Sequence, residues 1–233
     1  MRFSPPLTEG RLIRRYKRFL ADVEFLDGRT ETVHVANPGA MLGFTAPGMR
    51  VFLSKSANPS RKLAWSLELV ETGGTLVGIN TGHPNRLIEE AIRADAIAEL
   101  VGYDRLRREV AYGRNSRIDI LLSGAGRADA YVEIKNAHFS RRAALAEFPD
   151  SVTARGTKHL GELAAMVAAG NRAAMLYLVQ RDDATDLALA RDIDPVYGAA
   201  FDAALAAGVE MLAYRCRITP EEIAVSSRIP MLG

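Results

Sequence analysis

A chain of 233 residues that is 48% hydrophobic and 25% charged has the composition of a folded globular protein, which excludes disorder as its main state, and its length suits one large domain or two modest ones. No apolar run approaches the roughly 18 residues needed to span a bilayer, the opening MRFSPPL is not followed by the apolar segment of a secretory signal, and Cys216 has no cysteine partner; the expectation is a cytoplasmic protein with no membrane partner. Net charge is +2, but residues 1–85 hold 11 Lys and Arg against 7 Asp and Glu, whereas residues 86–233 hold 19 against 21, an asymmetry that can mark a nucleic-acid face on the first part.

Residues 10–82 read as strands and turns. Residues 19–25 (FLADVEF) alternate, Leu26-Asp27-Gly28 turns the chain, and residues 30–35 alternate again. Asn37-Pro38-Gly39 and Pro47-Gly48 are turn signals, and strands follow at 50–53, 64–70 and 75–79. Five short strands in about 70 residues suggest a small barrel, with the OB-fold one solution and other small barrels fitting nearly as well.

The polar cluster at 80–85 (NTGHPN) marks the expected boundary between a unit at 1–83 and one at 84–233. Residues 86–100 then read as a helix, with Leu87, Ile88, Ala91, Ile92 and Ala96 along one side. Three strands follow, at 109–112, 118–122 and 130–135, the last two joined by a glycine turn at 123–126. A helix at 157–169 closes on Gly170, a buried strand spans 174–179, a helix runs from Pro195 to about residue 207, and a strand occupies 209–214. Helix, three strands, helix, strand, helix, strand is an α/β core with an antiparallel start and a crossover; the chain as a whole is α+β.

Asp119 lies in the first strand of the glycine-turn pair, and Glu133 and Lys135 lie in the second. Alternation places Glu133 and Lys135 on one strand face, with Val132 and Ile134 on the other. If the two strands pair, Asp119 can sit beside Glu133. Two adjacent carboxylates repel, so they need a cation or a raised pKa. A magnesium or manganese ion meets that need, taking one or two carboxylates and filling its other positions with water and phosphate oxygens. Such an ion polarises a phosphoryl oxygen and acidifies a bound water, while Lys135 can orient that water or stabilise developing charge. This is a phosphodiester-hydrolysing arrangement. The bland alternative is an edge strand on which Glu133 and Lys135 form a solvated pair. Only 5 of the 30 basic residues are lysines, which favours a chemical reason for Lys135. Glu109 and Glu90 compete for a third metal position.

Arg11, Arg14, Arg15, Lys17 and Arg18, close to Tyr16 and Phe19, suggest a phosphate-tracking surface with an aromatic for base stacking, or else a solvated edge. Asn37 sits in a loop that either binds or merely turns. Arg155, Lys158 and His159 surround a helix start, a place that favours phosphate. The four histidines lack zinc-ligand spacing. No P-loop, dinucleotide fingerprint or nucleophile elbow occurs.

The segments 15–23 (RYKRFLADV), 34–41 (HVANPGAM), 80–85 (NTGHPN), 116–119 (SRID), 132–136 (VEIKN) and 148–160 (FPDSVTARGTKHL) resemble, in this order and over essentially the whole length, the sugar fermentation stimulation protein (SfsA) family. The resemblance implies an N-terminal OB-like domain and a C-terminal domain similar to PD-(D/E)xK nucleases. It also implies DNA binding and a link to the regulation of maltose metabolism. Asp119, Glu133 and Lys135 match the nuclease motif, with Ile118 where its name has proline. Three roles stay open: a divalent-metal nuclease acting on DNA, a non-catalytic DNA-binding regulator, and an RNA-directed or structural barrel.

Overall fold

The computed structural model describes residues 1–232. Gly233, the end of the expected second unit, lies outside the described residues. The chain opens with six strands: β1 (Thr8–Tyr16), β2 (Leu20–Phe25), β3 (Thr30–Val35), β4 (Arg50–Lys55), β5 (Trp65–Thr72) and β6 (Thr75–Gly78). Strands β3, β2, β1, β4 and β5 lie side by side, and β3 closes onto β5 through a parallel pairing at His34–Ser66 and Val35–Leu67. Alternation sends Leu12, Val23, Phe25, Val33, Val35 and Leu67 into the barrel core. β6 is a hairpin return on β5. This is an OB-type barrel.

Pattern alone finds five of these strands but starts with β2, and so misses β1. The reason is local. A bulge between Leu12 and Arg14 breaks the alternation and leaves Ile13 40% exposed.

After the barrel come α1 (Pro84–Arg93), β7 (Arg105–Tyr112), β8 (Ser116–Ser123), β9 (Ala130–Ala137), β10 (Phe139–Arg142), β11 (Leu145–Phe148) and α2 (Ala154–Ala168). They are followed by β12 (Arg172–Val179), β13 (Asp186–Leu189), α3 (Pro195–Ala206), β14 (Glu210–Ile218), β15 (Ile223–Arg228) and β16 (Met231–Leu232). A six-stranded sheet has the order β15-β14-β12-β9-β8-β7, with β9, β12 and β14 parallel and the outer strands antiparallel. α1 buries Leu87, Ile88 and Ile92 against Ile120, Val132 and Leu176 on one face. α2 and α3 cover the other with Leu160, Leu163, Tyr197 and Phe201 against Met175 and Tyr177. A separate small sheet, β10-β11-β13-β16, was not visible in the pattern because its strands are at most four residues long.

Two helix limits differ most from the pattern. α1 stops at Arg93, not 100, because the chain turns through Asp95 at φ 54° and leaves only a short 3-10 turn, Ala98–Leu100. α2 starts earlier than 157, at Ala154, where the Thr153 side chain accepts the Gly156 N–H and caps the helix.

The barrel is stitched to the larger sheet. The Gly78 N–H donates to the Gln180 carbonyl at 2.9 Å, Val77 bridges Arg181, and Phe52 and Leu69 pack into the α1-side core. The first three residues do not join the barrel: Arg2 bridges Glu222, and Phe3 N–H donates to Glu221 C=O. Among the described residues no helix is long and apolar enough to cross a membrane.

Candidate metal-binding cleft

Strands β8 and β9 pair from Leu122–Ala130 to Ile120–Val132 and then part. Asp119 is the next residue out on β8. Its Oδ2 accepts the Ile134 N–H at 2.8 Å, so a side chain takes the place of a backbone carbonyl in the ladder. Its Oδ1 accepts from the Asn85 amide at 2.9 Å. Where the strands part, a cleft of about 480 Å³ opens, lined by Asn85, Arg108, Glu109, Asp119, Glu133, Lys135 and Arg155.

β9 is a central strand, and Glu133 is 3% exposed. The solvated edge pair is therefore ruled out. Glu133 Oε1 receives the Lys135 ammonium at 2.7 Å and meets His159 Nδ1 from α2. Glu133 Oε2 is buried with no hydrogen-bond partner. A buried, unpartnered carboxylate oxygen is costly, and a cation is one group that relieves it. The donor set suits a hard divalent ion: two carboxylates, with room in the cleft for water and phosphate oxygens.

The two acids are held differently. Burial, followed by the charge of Glu133, raises the Asp119 carboxyl above the usual range, against the Ile134 and Asn85 hydrogen bonds and Lys135. Burial also pushes Glu133 upward, but the His159 hydrogen bond and the Lys135 charge outweigh it and the net shift is downward. Burial, then Glu133, pushes the nearby Tyr112 hydroxyl well above its usual value, so it stays protonated.

The structure does not assemble every acid that the sequence offered. Glu109 reaches the cleft with its carboxylate on Asn85 Nδ2 at 3.2 Å, beside rather than with Asp119 and Glu133. Glu90 is elsewhere, paired with the chain's ammonium terminus at 2.8 Å and with Arg86. Among the described residues no three His, Cys, Asp or Glu side chains form a metal-holding group.

The basic candidates divide as well. Arg155 lines the cleft. Lys158 donates to the Arg114 carbonyl and the Ser116 hydroxyl. Arg15 spends its guanidinium on the Arg18, Asn37, Gly39 and Ala40 carbonyls, and Asn37 is buried, bonded to Ile79 C=O and Gly39 N–H. Both hold the 37–40 loop in shape instead of presenting free donors. Arg14 pairs with Asp22. Arg11 is exposed, with one N–H on the Gly48 carbonyl. Lys17 and Arg18 form the β1–β2 turn at φ 48° and 61°, both exposed, next to Phe19 at 45% exposure. Asn85 and Arg108 line the cleft and were missed; His159, offered by the sequence as one of three residues around a phosphate-favouring helix start, instead meets Glu133 from α2. Asn85 lies in the motif segment 80–85, the one signal that pointed to it.

Two family models match the chain: the SfsA N-terminal OB domain over residues 13–79, and the sugar fermentation stimulation protein RE domain over residues 82–222. The chain belongs to the SfsA family. A sugar fermentation stimulation protein homolog of Rhodospirillum centenum is 60% identical over 225 residues, covering 97% of both chains. A second SfsA-family homolog, from Allorhizobium ampelinum, is 55% identical over 231 residues, covering 99% of this chain and 98% of the relative. The structure of Pyrococcus furiosus SfsA in complex with Ca2+ superposes with a TM-score of 0.89 at 27% identity, covering 100% of this chain and 98% of that one. The SfsA fold, an OB barrel plus a restriction-endonuclease-like α/β domain, is thus the fold of this chain.

Proposed function

We propose that this chain binds DNA and hydrolyses its phosphodiester bonds with a divalent cation, magnesium or manganese, held by Asp119 and Glu133. The observation that carries the proposal is the unpartnered Glu133 Oε2 buried beside a second carboxylate in an open cleft. The Ca2+ bound by the Pyrococcus furiosus relative supports a divalent ion. The OB domain supports nucleic-acid binding. In this division of labour, residues 1–83 hold the nucleic acid and residues 84–233 act on it.

When bound, the cation supplies Lewis acidity toward a phosphoryl oxygen and acidifies water. Asp119 and Glu133 hold it. The Lys135 ammonium, anchored on Glu133 at 2.7 Å, sits where it can orient an attacking water and offset charge developing on phosphate. Arg108 and Arg155 line the cleft as phosphate-pairing groups. Arg11, Lys17 and Arg18 on the barrel track the backbone farther out.

The test is cleavage of single- and double-stranded DNA with magnesium or manganese by wild type, Asp119→Ala and Lys135→Ala. Wild type is expected to cut, with both variants down by at least about 100-fold. Equal behaviour of wild type and Asp119→Ala sinks the nuclease proposal. A DNA-binding role without cleavage draws on the OB domain alone. It predicts salt-sensitive binding that survives Glu133→Ala.

A further inference from the structure

His159 has no part in the chemistry above, yet it reaches the Glu133 carboxylate from α2. Its ring is 3% exposed, in the second turn of α2. Nδ1 meets Glu133 Oε1, while Nε2 faces the Arg155 Nε–H at 3.4 Å. An arginine N–H only donates. Nε2 is therefore the accepting nitrogen, and the ring hydrogen sits on Nδ1, where it is donated to Glu133. The Lys135 ammonium donates to the same Oε1; its 3.3 Å approach to Nδ1 sets donor against donor and adds no bond. Two donors converge on one carboxylate oxygen and none on the other. That asymmetry fixes how the carboxylate is turned.

We propose that His159 is a positioning residue for Glu133: by donating from Nδ1 to Oε1 it keeps Oε2 free and oriented as the oxygen that takes the divalent cation. The inference rests on the cation site proposed above. It follows the general pattern in which the hydrogen bonds behind a metal ligand set its orientation, with losses of roughly 10–100-fold in affinity when they are removed. Lys135 alone cannot do the same work, because an ammonium on a flexible stem is a mobile point charge, whereas a ring packed in a helix is not.

The test is calorimetric titration of Mn2+ into wild type, Glu133→Gln, His159→Asn and His159→Leu, each checked for folding by circular dichroism. Asparagine places an amide donor near the position of Nδ1; leucine removes the donor and keeps the bulk. His159→Leu is expected to weaken Mn2+ binding at least about tenfold, and His159→Asn to recover most of it. Wild-type affinity in a folded His159→Leu overturns the proposal, and so does His159→Asn binding as weakly as His159→Leu. Should the variants not fold, 15N spectra of histidine-labelled wild type at neutral pH decide instead. A ring protonated on Nδ1 supports the proposal, and one protonated only on Nε2 overturns it. The two levels separate cleanly. Mn2+ binding lost in Glu133→Gln but kept in His159→Leu sinks the role of His159 alone, whereas a wild type that binds no Mn2+ sinks the cation site and this inference with it.

Discussion

Asp119 and Glu133 are neighbours of the same chemical type whose surroundings push them apart. Only Glu133 has cationic and ring N–H donors at hydrogen-bond distance; Asp119 has a backbone amide and a carboxamide. Burial first, then the Glu133 charge, holds the Asp119 carboxyl above the usual range in the cation-free fold. A carboxyl whose folded pKa is raised contributes stability that is fully present below its unfolded value and lost as pH rises through the folded one. Burial and the Glu133 charge disfavour the ionised form, and the Ile134 and Asn85 hydrogen bonds and Lys135 offset this only in part. Asp119→Asn removes the charge and keeps an acceptor for the Ile134 N–H; its amide NH2 then faces Asn85, whose carboxamide turns to present its oxygen. It is expected to stabilise the cation-free protein by about 1 kcal/mol, a rise in Tm of about 2–4 °C for a chain of this size, and to erase the further rise that Mn2+ gives wild type. Thermal melts in chelator and in Mn2+ check both halves, and a variant that melts below wild type in chelator refutes the assignment of Asp119 as the strained acid.

At the level of elements, legibility followed local pattern. Alternation put Glu133 and Lys135 on one face and the glycine turn offered Asp119 as a neighbour, with a solvated edge pair equally open until the strand order was known, and the apolar side of α1 was readable because its partners lie three and four residues apart. β1 was not readable: it combines a bulge with a basic surface face. It also carries Gly10, where a Cβ would stand 2.6 Å from Val23 Cγ1 and 2.9 Å from the Glu24 carbonyl oxygen of β2. Glycine there records how closely two backbones approach, which no periodicity reports. Gly10→Ala is expected to cost about 1–3 kcal/mol, read as a lower denaturant midpoint; an unchanged midpoint would show that β1 and β2 can separate freely. The cleft was half legible for a similar reason. Asn85 and His159 arrive from α1 and α2, and only tertiary packing brings helix residues onto β8 and β9. Arg15 and Asn37 looked like ligand-facing groups because both are polar and lie near a turn, but Arg15 is consumed by the carbonyls of residues 37 and 39, and Asn37 by the Ile79 carbonyl and the Gly39 amide.

For the whole molecule, the barrel and the sheet are joined by backbone as well as side chains. The Gln180 carbonyl takes the Gly78 N–H, and its Nε2 donates at 2.7 Å to Asn136, the residue after Lys135. The exposed β1–β2 turn and the cleft thus belong to one framework, so that a strand of nucleic acid bound at the turn, as proposed, would meet the cleft in a fixed relation. Charge on the turn should then appear in the salt dependence of binding. Replacing both Lys17 and Arg18 by alanine is expected to weaken DNA binding and to reduce the slope of log affinity against log salt by about 0.7–0.9 for each lost phosphate contact. Fluorescence anisotropy of a labelled oligonucleotide across a salt series measures it, and an unaltered slope means the turn does not touch phosphate.

The ladder position taken by the Asp119 side chain has a consequence for observation. The Ile134 amide hydrogen is bound to the carboxylate of a residue proposed to hold the ion, so its environment should respond when that carboxylate takes a cation. A single backbone resonance thereby becomes an indicator of occupancy. Its shift and its exchange with solvent should change as a diamagnetic ion such as Mg2+ is added, before any substrate is present. The sheet carries its own gauge of whether the site is filled.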